Sequence, residues 1–238
     1  MSAAQTSSHS LPFRSVLIHG MGMMGASLAR SLRACSSPPR VVGAVRSEKS
    51  ASFIRAHKLA DDIHICGHES EIAQLPLADF DLIVLGTPVR SVVRTAAALP
   101  QNTRGLITDM ASTRREIQAA FAERADLRFV GSHPMCGSEN RGPTAAVPDL
   151  FQNSLCILTP LSHSREADVA LTAQLWEALE MRTCVLNGDR HDEVLAYLSH
   201  GPHLLSGLLT LWAQNDAVRE AFAAAPMPIT GGGFKGMA

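Results

Sequence analysis

Short apolar runs alternate along this chain with longer segments whose apolar residues recur at helical spacing. The runs are SVLIHG (15–20), RVVGAV (40–45), DLIVLG (81–86), GLITDM (105–110) and RFVGSH (128–133). Near-continuous apolar runs are what strands buried on both faces of a parallel sheet require. Between them, ASLARSLRA, EKSASFIRAHKLA, VRSVVRTAAAL and TRREIQAAFAERA each carry one apolar helical face. A β-α-β succession of this kind folds as an α/β domain with a doubly wound, mainly parallel sheet. SLCILTP (154–160) and RTCVLN (182–187) flank the helical pattern EADVALTAQLWEALE, so the sheet is expected to continue to about residue 187. From Asp189 onward one long apolar helical pattern follows, and Gly201-Pro202 should kink or break it. The expected organisation is a flexible tail over 1–13, a sheet domain over 14–187 and a helical segment over 188–238.

With 238 residues and 46% apolar composition, the chain can bury a sizeable core. A formal net charge of -1 provides no basic field for nucleic acid, and 18% charged residues do not describe a disordered chain. A small molecule or another protein is the expected partner. The five cysteines are scattered, with no C-x-x-C pair, and read as reduced thiols rather than a disulfide framework or a zinc site. The polar start MSAAQTSSHSLPFRS lacks the apolar stretch of a signal peptide, and no run reaches the roughly 18 apolar residues of a membrane span. A cytoplasmic protein is the expectation, with no bound metal.

The sequence Gly20-Met21-Gly22-Met23-Met24-Gly25 follows the first run and opens the first helical pattern. In that position G-x-G-x-x-G is the turn of a Rossmann-type dinucleotide domain. Its glycines let the backbone approach a pyrophosphate, which then sits at the positive end of the helix beside Met23 and Met24. NAD sites place an acid about 20 residues further on, at the end of the second strand. Arg46 stands there instead, followed by Ser47 and soon by Lys49. A guanidinium and a hydroxyl suit a 2′-phosphate, so NADP is the preferred cofactor and NAD the second. A basic residue on a solvated loop is the plain alternative. Thr87 and Pro88, after DLIVLG, are expected beside the cofactor.

Two further motifs fall at the carboxyl ends of later strands, where open α/β sheets hold their ligands. They are TDMASTR (108–114) and SHPMCGSENRG (132–142). Ser112 and Thr113 read equally as a helix N-cap or as functional hydroxyls. His133 is expected to project into the cofactor cleft rather than serve the structure, with Gly137 and Gly142 shaping the loop that follows.

SHPMCGSENRG resembles the H-P-M-x-G-S/T-E signature of the prephenate and arogenate dehydrogenases of tyrosine biosynthesis, and TDMASTR resembles their T-D-x-x-S-T-K. LFQNSLCILTP (150–160), HDEVLAYLSHGPHLL (191–205) and GGGFKGMA (231–238) extend the resemblance from about residue 15 to the last residue. Arg114 replaces the usual lysine, and Lys235-Gly236 the usual Arg-Asp. The resemblance implies a Rossmann domain followed by a helical dimerisation segment, hence a homodimer. It also implies oxidative decarboxylation of a cyclohexadienol with hydride transfer to the nicotinamide.

By that resemblance His133 is the base for the substrate hydroxyl, an imidazole being neutral yet basic near pH 7. Ser112 holds the same hydroxyl. Substrate carboxylates fall to His203 and His200, with Ser138, Glu139 and Lys235 joining the substrate-binding set. His200 reads equally as a core histidine, and Glu139 as a gate, a cation partner or a plain surface acid. Hydroxyacid dehydrogenases of the 3-hydroxyisobutyrate type share a glycine turn ending in Met-Gly but need a helix lysine. Lys49, Lys58 and Lys235 are the only lysines here, and none stands on a suitable helix. A second reading follows from the last motif, which stops where the family presents its substrate-binding arginine: a catalytically impaired or non-enzymatic NADP-binding relative.

Overall fold

The computed structural model describes residues 11–224. Five strands, β1 (Ser15–His19), β2 (Arg40–Val45), β3 (Asp62–Ile65), β4 (Leu82–Leu85) and β5 (Leu106–Asp109), form a sheet in the order β3-β2-β1-β4-β5. Every pair in it is parallel. The helices α1 (Met23–Ala34), α2 (Glu48–Ala56), α3 (Val89–Ala98) and α4 (Arg115–Ala122) connect these strands and lead out of β5. Alternation along β1 divides the core: Val16 and Ile18 pack with Ala26, Leu28 and Ile54 of α1 and α2. Leu17 packs instead with Val92 and Ala96 of α3 and with Ile117 and Phe121 of α4. This is the expected Rossmann-type doubly wound sheet, and its order reverses between β1 and β4, where such sheets bind ligands.

The edge strand β3 was not among the expected runs. Its sequence DIHI alternates polar and apolar residues and is only half-buried, unlike the central strands. Beyond β5 the sheet does not simply continue. Strands β6 (Val130–Pro134), β7 (Leu155–Pro160) and β8 (Arg182–Val185) form a separate three-stranded group, with β6 antiparallel to β7 and β7 parallel to β8. One parallel bridge, Ile107 to Phe129, joins the groups, with Ile107 N–H donating to the Arg128 carbonyl at 2.8 Å. After that bridge, side chains take over from the ladder. The Ser132 N–H donates to the Asp109 carboxylate at 3.2 Å, and the Thr108 and Ser132 hydroxyls lie 2.7 Å apart. Helix α5 (Glu166–Glu177) closes this side, its Trp176 indole N–H donating to the Ser132 hydroxyl at 3.0 Å.

The chain divides into two compact units after Asp189. Helix α6 (Gly188–Leu195) leads into a single π-helical turn at Ala196–His200, followed by α7 (Gly201–Ala213) and α8 (Asp216–Ala224). The expected interruption at Gly201-Pro202 therefore appears as one wide turn. Pro202 falls in the first turn of α7, directly after the π turn, whose Gly201 N–H donates to the Ala196 carbonyl.

Candidate active site

The glycine turn after β1 assigns a separate task to each glycine. Gly20 has φ +99°, and a Cβ there would stand 2.7 Å from the Gly86 carbonyl carbon. It bridges two strand ends, since its N–H donates to the Ala44 carbonyl at 2.8 Å while the Gly86 N–H donates to the His19 carbonyl at 2.8 Å. A Cβ on Gly25 would run into the Gly20 carbonyl oxygen, so this glycine lets α1 sit against the turn. Gly22 differs, with nothing within 4 Å of a built Cβ. It is the N-cap of α1, which has neither a side-chain cap nor an acid in its first turn. Open amide groups at the positive end of a helix, with empty space above the middle glycine, fit the diphosphate of a dinucleotide.

A cleft of about 290 Å³ extends from this turn over the ends of β2 and β3. Arg46, Ser47, Ser50, Thr87 and Pro88 line it together with Gly20 and Gly22. Arg46 is exposed, while the Ser47 hydroxyl caps α2 by accepting from the Ser50 N–H at 3.3 Å. Two members carry no sequence signal. Glu69 accepts from Arg94 at 2.7 Å, and its carboxyl is held down at about 2 by Arg94 and Ser91. His19, at the end of β1, is buried, and burial lowers its pKa although the Glu69 carboxylate raises it in part.

A second cleft of about 310 Å³ shares Thr87 and Pro88 with the first. Met23, Met24, Met110, Ser112, His133 and Ser138 line it as well. His133 is 8% exposed on β6, opposite Ile157 of β7. Ser112 is exposed on the loop between β5 and α4. That loop is fixed by a pair in which neither side chain has any exposure: Arg114 donates to Asp109 through Nη1 at 2.8 Å and Nη2 at 2.6 Å. The same Nη2 reaches the Ala111 carbonyl at 2.6 Å, and the Ala111 N–H returns a bond to Asp109 at 3.0 Å. The N-cap position of α4 is thus occupied by Arg114, without a side-chain cap, rather than by Ser112 or Thr113 as one sequence reading had it. Burial pushes the neighbouring Cys136 thiol up to about 11, so no thiolate competes with the imidazole near neutral pH.

The loop after His133 runs across α1. The Val147 N–H donates to the Ser27 hydroxyl at 2.9 Å, and the Ser31 hydroxyl donates to the Pro148 carbonyl at 2.9 Å. Gly142 and Pro143 of this loop line the first cleft, and Gly137 and Ser138 the second. Glu139 is exposed and lines neither. His200 and His203 belong to the helical unit, where both are exposed. Lys235 lies outside the described residues. Among the described residues no group of three or more His, Cys, Asp or Glu could hold a metal ion.

Residues 28–185 match the family described as prephenate dehydrogenase, nucleotide-binding domain. A cyclohexadienyl dehydrogenase of Zymomonas mobilis is 31% identical over 197 residues, which is 82% of this chain and 65% of that protein. A prephenate dehydrogenase of Lactococcus lactis is 27% identical over 213 residues, 87% of this chain and 56% of that protein. The chain thus spans less than two thirds of either relative. Prephenate dehydrogenase from Aquifex aeolicus superposes with a TM-score of 0.76 at 25% identity, covering 94% of this chain and 78% of that one. The same Aquifex enzyme has been solved in complex with hydroxyphenyl propionate and NAD+, at a TM-score of 0.76.

The glycine geometry separates folding from binding. Gly25→Ala should lower stability by about 1–3 kcal/mol in urea unfolding, because its Cβ meets fixed backbone. Gly22→Ala should leave stability within about 0.5 kcal/mol and abolish measurable dinucleotide binding by calorimetry.

Proposed function

Because this chain belongs to the prephenate dehydrogenase family, we propose that it oxidises prephenate or arogenate with loss of carbon dioxide, in tyrosine biosynthesis. The observation that carries this reading is that His133 and Ser112 share a cleft with Thr87 and Pro88, which also line the dinucleotide cleft. The nicotinamide, when bound, supplies the hydride acceptor. His133 accepts the proton of the substrate's ring hydroxyl as hydride leaves the carbon that bears it. Ser112 donates to or accepts from that hydroxyl and holds it toward the imidazole. Carbon dioxide then departs, its bonding electrons aromatise the ring onto the oxygen, and the phenolate takes back the proton from His133 to give a phenol. Ser138 lines the cleft and is assigned to the substrate. The resemblance extends the same assignment to Glu139, His200, His203 and Lys235.

For the cofactor, Arg46 and Ser47 line the end of the cleft where a ribose 2′ substituent belongs, and they support NADP over NAD. Glu69 lines it too, but Arg94 holds that carboxylate. NAD stays the second cofactor, as it is the one in the Aquifex complex. The helical unit exposes Tyr197 at 77%, Leu198 at 76%, Leu204 at 66% and Trp212 at 67%. Apolar surface of that extent supports a homodimer formed through these helices.

His133→Asn should lower turnover roughly 10²- to 10⁴-fold in an assay of reduced nicotinamide absorbance, with dinucleotide affinity unchanged. A wild-type chain that turns over neither prephenate nor arogenate would remove the reading. Arg46→Asp should weaken NADP binding by about 2–4 kcal/mol while leaving NAD binding nearly intact, as measured by calorimetry with both cofactors. Light scattering should give twice the mass of one chain, and Trp212→Asp should return it toward the monomer.

A further inference from the structure

At the end of β1 the chain places a histidine where its own core pattern calls for an apolar residue. Leu17, two residues earlier on the same strand face, is buried in the apolar cluster of α3 and α4. His19 follows on that face and is only 5% exposed. Its Nδ1 is buried with no hydrogen-bond partner among the described residues. An unsatisfied buried imidazole destabilises a fold, and a leucine of similar size would not. Folding alone therefore gives no reason for this histidine.

The ring lines the dinucleotide cleft, beside Arg46, Ser47, Glu69 and Thr87. Thr87 Oγ1 is likewise buried without a partner among the described residues. The two orphaned groups flank one turn, since the His19 carbonyl accepts from Gly86 N–H and Thr87 comes next. Side-chain atoms left unpaired on both sides of a turn, in a cleft already suited to a diphosphate, have hydrogen-bonding capacity that the fold itself does not use.

We propose that His19 is a binding residue for the adenosine half of the dinucleotide, with its imidazole hydrogen-bonded to the bound nucleoside at the carboxyl end of β1. This rests on the dinucleotide reading given under Proposed function, and it adds a determinant that the glycine turn and Arg46 do not contain. The partner is the ribose or the base rather than the nicotinamide. His19 stands in the cleft that contains Arg46 and Ser47 at the ends of β2 and β3, whereas His133 and Ser112 line the other.

The test uses the full chain and two probes, NADP+ and 5′-ADP, which lacks the nicotinamide. Calorimetric titration of His19→Leu should show both probes weakened by about 5- to 30-fold, the worth of one hydrogen bond. The melting temperature of the ligand-free variant should equal or exceed that of the wild type. Weaker binding in a chain that is no less stable separates a ligand contact from a structural role. Unchanged affinity for both probes overturns the proposal, and so does weakened NADP+ binding with intact ADP binding, which would move the contact to the nicotinamide side. A lower melting temperature with unchanged affinity makes His19 structural and overturns it as well. A wild type that binds neither probe removes the dinucleotide reading itself, whereas a wild type that binds both equally with its variant removes only His19.

Discussion

The candidate site depends on one buried ion pair at the end of β5. Asp109 and Arg114 have no exposed side-chain surface, and the guanidinium grips both carboxylate oxygens. Taking two charges out of water is costly, and their attraction offsets this only where the remaining polar atoms also find partners. Here Asp109 accepts from the backbone of Ala111 and of Ser132, and Arg114 donates to the Ala111 carbonyl. One carboxylate thereby fixes the loop that bears Ser112 and the strand that bears His133. Removing either partner would strand the other charge, a loss of about 3–5 kcal/mol. An apolar pair of similar volume would restore that stability without tying the two segments together.

The same pair lies where the sheet departs from a single continuous ladder. Between β5 and β6 one bridge survives, at Ile107 and Phe129. Beyond it the Ser132 N–H turns to a side chain, and its hydroxyl receives the Trp176 indole N–H. Phe121 and Phe129, stacked with centroids 3.8 Å apart, support the bridge from below. The cleft around His133 opens where the ladder stops. Open α/β sheets hold their ligands in such a crevice at the carboxyl edge, and here it lies where backbone bonds give way to side-chain ones.

The central strands were legible because parallel burial on both faces demands uninterrupted apolar runs, and the glycine turn was legible because its spacing is a backbone requirement. The edge strand β3 is not legible in this way, since an edge buries little and DIHI carries little apolar signal. Ser112 and Thr113 looked like a helix cap from their residue types. The position went to Arg114, whose destination was set by a carboxylate in the preceding strand. The antiparallel return of β7 was hidden for a related reason, as an apolar run does not state its direction. Glu69 comes to the dinucleotide cleft through tertiary packing, and His19 through its place directly before the glycine turn. Neither stands in a motif, and a histidine ending an apolar run reads as the strand's boundary.

The loop that crosses α1 is anchored at both ends. It leaves β6 opposite Cys156 and is held again at Val147 and Pro148 by two serines one helical turn apart. Only the stretch between these anchors, which includes Gly137 and Gly142 at positive φ, has conformational freedom to lose. The entropy of closing a chain segment grows with the logarithm of its length, so a segment with fixed ends has met most of that cost during folding. A ligand arriving in either cleft would therefore meet a segment whose two ends are already placed. Since Gly142 and Pro143 line one cleft and Gly137 and Ser138 the other, the conformation of this one segment shapes both.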